Sequence, residues 1–193
     1  MPEVLTAQRL PGHLNIAAPR ATGTPLISSE RIARRVHRLG KQISSVYADI
    51  DTALVMVVIL KGATVFAADL LRSLTVPAEL EFVRAASYGA GTSSHGQPLR
   101  LAHMVQGSLE NRHVLLVEDI VDSGRTAATV TRRVSHLKPA SLRLAALLDR
   151  PARRSIDVKI DFKGFTIPDR FVIGYGLDYA GLYRELPAIY SLS

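Results

Sequence analysis

A chain of 193 residues, 47% of them hydrophobic and none of them cysteine, is long enough for one sizeable core and excludes disulfides, thiolate metal sites and cysteine nucleophiles. No apolar run approaches the roughly 18 residues that span a bilayer, and the N-terminus lacks the pattern of a signal peptide, so one soluble, cytoplasmic domain is expected. The formal charge of +7 attracts polyanions, phosphorylated small molecules included, but an aromatic content of 6% offers no obvious base-stacking platform.

Residues 1–25 carry prolines and glycines and no sustained apolar period, which reads as an irregular arm. From Ser28 or Ser29 the residues Ile32, Val36, Leu39, Ile43 and Val46 recur at steps of four and three, placing them on one face of a Ser-capped helix. The arginines between them, Arg31, Arg34, Arg35 and Arg38, read as its solvated face. "ALVMVVIL", residues 53–60, is a continuous apolar run rich in β-branched residues, the pattern of a strand buried on both faces of a parallel sheet. "ATVFAADLLRSL" follows as a crossover helix. "AELEFV" and "HVLLV" read as strands, "TAATVTRRVSHL" as a helix and "SLRLAALL" as another strand. Between the strands at 78–84 and 113–117 lies "ASYGAGTSSHGQP", whose Gly, Ser and Thr content reads as a mobile loop over a site. Alternating strands and helices imply a doubly wound α/β sheet with ligands at the carboxyl ends of its strands.

One such end is "VLLVEDIVDSGRTAATV", residues 114–130, where Glu118, Asp119 and Asp122 crowd between an apolar strand and a helix. Three acids there are costly without a partner. The turn "DSGRT" offers backbone N–H groups and a helix dipole to a phosphate, and Gly124 allows close approach. Ser123 and Thr126 add hydroxyls, and Arg125 adds charge. The carboxylates would repel a bare phosphate, so the ligand must also offer hydroxyls or a divalent metal. A sugar phosphate offers both. The six histidines show no metal-ligand spacing.

"VLLVEDIVDSGRT" resembles the phosphoribosyl pyrophosphate motif of the type I phosphoribosyltransferases, in the version found in hypoxanthine (hypoxanthine-guanine) phosphoribosyltransferases. "VVILKGATVFAADLLR", "SYGAGTSS", "LLDRP" and "DFKGFTIPDRFVIGYGLDYAGLYRELPAIY" resemble further segments of that family, so the likeness runs from about Leu26 to the C-terminus. It implies the type I fold as a single domain over 26–193, with a flexible loop and a small purine-binding hood formed mainly by 150–193. It also implies purine salvage, in which the phosphoribosyl group passes to hypoxanthine or guanine, with magnesium as cofactor and a homodimer or homotetramer as the assembly. Carried over by position, Lys61, Gly62 and Arg184 would line the pyrophosphate site. Glu118 and Asp119 would hold the ribose hydroxyls directly and through magnesium, and Ser123, Gly124, Arg125 and Thr126 would wrap the 5′-phosphate. Asp122, which also contacts phosphoribosyl pyrophosphate, would handle the proton at purine N7. Arg150, Phe171 and Val172 would hold the purine, Asp178 would lie beside it and bind a second magnesium, and Ser87 and Tyr88 would belong to the closing loop.

Arg150 stands where the family usually has lysine, donating to the purine 6-oxo group. A planar fork in place of a point donor is not a conservative exchange, so xanthine stays open as a preferred base. The bland alternatives are that Arg150 turns outward and that the neighbouring Arg153 or Arg154 merely solvates a loop. A regulator that kept the fold and binds nucleic acid is the alternative from another class, and the intact Asp122 and hood weigh against it.

Overall fold

The computed structural model describes residues 24–86, 100–102 and 108–192. The arm, as far as residue 23, lies outside them, as do Ser87 and Tyr88. The first helix, α1, spans Ser29–Val46, and Ser28 caps it by accepting a hydrogen bond from Arg31 N at 3.4 Å. Strand β1 (Leu54–Leu60), helix α2 (Thr64–Ser73), strand β2 (Ala78–Ala86) and the short β3 (Arg100–Ala102) follow. Then come β4 (His113–Val121), α3 (Arg125–Ser135), β5 (Ser141–Asp149), a 3-10 turn at Pro151–Arg153, β6 (Phe162–Thr166), β7 (Val172–Ile173) and β8 (Tyr190–Ser191).

Strands β3-β2-β1-β4-β5-β6 form one sheet, parallel throughout except for β3 at its edge. The apolar run of β1 is buried because the sheet is covered on both sides. Met56, Val58, Leu115 and Val117 pack in one layer with Ile32, Val36, Leu39 and Ile43 of α1 and Phe66 and Leu70 of α2. Val55, Val57, Val114 and Leu116 point the other way, against Ala127, Val130 and Val134 of α3. Period-two strands sandwiched between period-3.6 helices give this two-sided core, and each fully buried aliphatic side chain in it contributes about 1.5–3 kcal/mol.

The α1 face differs from expectation at its end. Val46 is 43% exposed, and Tyr47, at 2%, takes the buried place. The helix stops at Val46, and Tyr47 at its C-cap has left helical geometry (φ −113°), which turns its ring inward.

Strand order places the crevice. From β1 the chain winds outward to β2, and from β4 it winds the opposite way to β5 and β6, so the topological switch lies between β1 and β4. These two strands are in register only over Val55–Val58 and Val114–Val117. Beyond Val117, β4 runs on without β1 beside it, and the crevice opens there. The acids therefore do not follow the strand, as their sequence suggested; Glu118 and Asp119 belong to β4 itself. Near the C-terminus β7 and β8 pair as a small antiparallel sheet, and Ile27 bridges to Ile189 beside it.

Candidate active site

Glu118 and Asp119, as neighbours on a strand, point to opposite sides. Glu118 is 5% exposed, and its buried Oε2 has no hydrogen-bond partner among the described residues. Burial pushes its carboxyl well above the usual carboxylate range, Asp119 adds to the rise, and Arg154 opposes it. The Asp119 carboxyl is pushed up to about 6, chiefly by burial, against the backbone donor of Ile120 at 2.9 Å and the charge of Arg184. Both acids ionise at a higher pH than an exposed carboxylate, and a nearby cation or hydroxyl donor would favour their charged forms.

The β1–α2 turn closes one wall. A Cβ on Gly62 would lie 1.6 Å from Asp119 Oδ2, so only glycine lets the turn rest on that carboxyl. The Leu60–Lys61 peptide is cis, and exposed Lys61 accepts from Thr64 N and Oγ1 at 3.2 and 2.7 Å through its carbonyl, which starts α2. Gly176 stacks on this turn, since a Cβ there would stand 2.2 Å from the Gly62 carbonyl. Arg184 Nη1 donates to Gly176 O at 2.6 Å while Nη2 pairs with Asp178 Oδ1 at 2.6 Å, and Gly181 N donates to the other Asp178 oxygen at 2.8 Å. Residues 61–62, 119, 178 and 184, separated by more than a hundred positions, thus share one wall.

Opposite it, Gly124 at φ +84° turns the chain from β4 into α3. This left-handed conformation suits glycine, and a side chain would also meet Ile156 O at 2.2 Å. Glu118, Ile120–Gly124, Thr126 and Ala127 line a cavity of about 50 Å3 at the helix N-terminus. Arg125 is exposed at the first turn.

Asp122 is chelated. Arg150 donates from Nε to Oδ1 at 2.9 Å and from Nη2 to Oδ2 at 2.6 Å, and its Nη1 donates to Arg170 O at 2.6 Å. Arg150 is 7% exposed, so it does not turn outward. A fork uses one acceptor direction on each Asp122 oxygen and leaves others open. Beyond Arg170, Phe171 stands 47% exposed and meets Tyr179 edge-on at 5.8 Å, while Val172 is buried in β7. An open aromatic face beside a paired acid suits a flat, hydrogen-bonding ring.

A model of the phosphoribosyl transferase domain matches residues 26–180. The chain belongs to the phosphoribosyltransferase family. Within it, the hypoxanthine phosphoribosyltransferase of Salmonella typhimurium is 42% identical over 164 residues, covering 85% of this chain and 92% of that one. The hypoxanthine-guanine phosphoribosyltransferase of Bacillus subtilis is also 42% identical, covering 85% of this chain and 89% of its own. Among solved structures, a ternary substrates complex of Trypanosoma cruzi hypoxanthine phosphoribosyltransferase, a lysine-to-arginine mutant, has TM-score 0.81 at 38% identity, covering 88% and 94% of the two chains.

In this phosphoribosyltransferase, the carboxylate set fits a divalent cation completed by substrate oxygens. Among the described residues no three potential ligands cluster, whereas buried Glu118 Oε2 lacks any protein donor. Magnesium is commonly bound in that way, through one or two carboxylates plus phosphate oxygens. The arginines after β5 were undervalued by sequence reasoning. Arg154 turns back into the fold, donating to Asp122 O at 2.9 Å and Val121 O at 3.0 Å and pairing with Asp149, and Arg153 pairs with Asp169 at 2.5 Å. A strand ending in Asp and followed by three arginines was the available signal, but it names no partner.

Proposed function

We propose that this phosphoribosyltransferase salvages 6-oxopurines, transferring the 5-phosphoribosyl group of phosphoribosyl pyrophosphate to hypoxanthine or guanine and releasing pyrophosphate and the nucleoside monophosphate. The observation that carries this reading is the crevice between β1 and β4, with an anion cradle at the N-terminus of α3, under-compensated Glu118 and Asp119 beside it, and exposed Phe171 next to the Arg150–Asp122 pair.

Ser123, Gly124, Arg125 and Thr126 hold the 5′-phosphate through backbone and hydroxyl donors. Glu118 and Asp119 accept from the ribose hydroxyls and, with Asp178, are the residues that would hold magnesium. Bound there, that ion supplies neutralisation of the pyrophosphate charge. Phe171 stacks on the purine, Val172 meets its edge through the backbone, and an unused Arg150 donor reaches the 6-oxo group. As purine N9 forms its bond to ribose C1 and the bond from C1 to pyrophosphate breaks, Asp122 takes the proton leaving N7. Lys61 and Arg184 stabilise the charge that develops on the departing pyrophosphate.

The reading includes self-association as a homodimer or homotetramer, supported by Leu80 and Phe82, 38% and 41% exposed on β2. It also includes a cytoplasmic setting, which the absence of cysteine suits. The test is initial rate with phosphoribosyl pyrophosphate and magnesium against hypoxanthine, guanine, xanthine and adenine in parallel. Turnover of 6-oxopurines and not adenine is expected; turnover of none, with salt-sensitive nucleic-acid binding, would overturn it.

A further inference from the structure

The loop after β5 grips consecutive carbonyls at the end of β4. Val121 O accepts from Arg150 N and Arg154 Nη2, each at 3.0 Å. Asp122 O accepts from Arg154 Nε at 2.9 Å. Ser123 O accepts from Ser155 N and Ile156 N, each at 3.0 Å, and from Ser155 Oγ at 3.1 Å. In a planar trans peptide the carbonyl and the N–H that follows point in opposite directions. Carbonyls drawn toward the loop therefore send the N–H groups of Ser123 and Gly124 away from it, toward the cavity at the start of α3.

Among the described residues, one side chain reaches two of these carbonyls. Arg154 uses Nε for one and Nη2 for the other, and Nη2 also pairs with Asp149, which is 7% exposed and held from its other oxygen by Lys163 at 3.0 Å. Its Cδ lies 3.1 Å from where a Gly124 Cβ would be, so the arginine stem packs against the cradle's outer wall. A lysine could satisfy Asp149 as a point charge but could not span both carbonyls.

We propose that Arg154, anchored by Asp149, is the positioning residue of the phosphate cradle, orienting its peptide groups so that their N–H donors face the 5′-phosphate of phosphoribosyl pyrophosphate. This rests on the reading of Ser123–Thr126 as the 5′-phosphate turn. Arg154 itself touches no substrate.

The experiment compares the wild-type chain with Arg154→Lys and Arg154→Met, reading KM for phosphoribosyl pyrophosphate, KM for hypoxanthine, kcat and Tm. A rise in phosphoribosyl pyrophosphate KM of roughly ten- to a hundredfold is expected in both variants, the range that lost charge-assisted hydrogen bonds imply. Hypoxanthine KM should stay within about threefold. Arg154→Lys should also keep most of the wild-type Tm, which separates positioning from mere stabilisation. A phosphoribosyl pyrophosphate KM within about threefold of wild type in Arg154→Lys overturns the inference, and that variant decides alone if Arg154→Met does not fold. A wild-type chain that neither binds nor turns over phosphoribosyl pyrophosphate overturns the functional reading along with it, whereas an active wild type with indifferent variants overturns only the role of Arg154.

Discussion

Two stretches of the crevice treat their acids in opposite ways. Within β4, Glu118 leaves one buried oxygen without a donor among the described residues, and Asp119 is pushed up to about 6. Where β4 and β5 end, Asp122 has both oxygens in the Arg150 fork, and Asp149 behind it is paired with Arg154 and Lys163. The lesson is that unpaired acids mark where a ligand must complete the structure, while paired acids mark geometry set in advance.

Breaking the paired side should have the largest effect. Asp122→Asn keeps the shape and removes the proton acceptor, so kcat should fall by about 10²- to 10⁴-fold while phosphoribosyl pyrophosphate binding changes little, read by steady-state kinetics and titration calorimetry. Near-normal turnover would end the case for Asp122 as the base. The wall formed by Gly62 and Asp119 is next. Gly62→Ala drives a methyl into the Asp119 carboxyl, and phosphoribosyl pyrophosphate KM should rise by roughly ten- to a hundredfold, with hypoxanthine KM nearly constant. Arg150→Lys tests the paired side more gently. It keeps the charge but loses the fork, and a drop in kcat of about three- to tenfold, with a changed ratio of hypoxanthine to xanthine turnover, is expected.

The smallest effect concerns pH. Glu118 and Asp119 have raised folded-state pKa values, so their neutral forms favour folding below the ordinary carboxylate range. That contribution is lost as pH rises, for Asp119 between the ordinary value of 3.8 and about 6. Asp119→Asn should therefore melt at a temperature close to wild type near pH 4 and a few degrees above it at pH 7. Magnesium and phosphoribosyl pyrophosphate should shrink that gap in wild type by compensating the same charges. A gap that does not widen with pH would show that Asp119 is already compensated in the free protein.

Much of this contrast was visible in the sequence, though unevenly. "VLLVEDIVDSGRT" marked Glu118, Asp119, Asp122 and the turn into α3, because strand burial, acid crowding and a Ser-Gly turn are properties of adjacent residues. Arg150 was marked as a departure from lysine, but its fork onto Asp122 was not foreseeable, since the two lie 28 positions apart and meet only where β4 and β5 end together. Arg154 was given no role beyond the bland alternative of loop solvation for the same reason: nothing local shows that the chain after Pro151 doubles back onto the end of β4.

By itself the sequence determined the alternation of strands and helices, the two-sided apolar core and the chemistry of the central motif, for these follow from periodicity and from which residue types stand side by side. The tertiary structure alone decided that Val46 faces solvent and Tyr47 the core, that Gly62 supports Asp119, and which acids are paired and which wait. Those outcomes depend on where a helix stops and where a loop returns, and a charge cannot be called compensated until the chain has folded its partner against it.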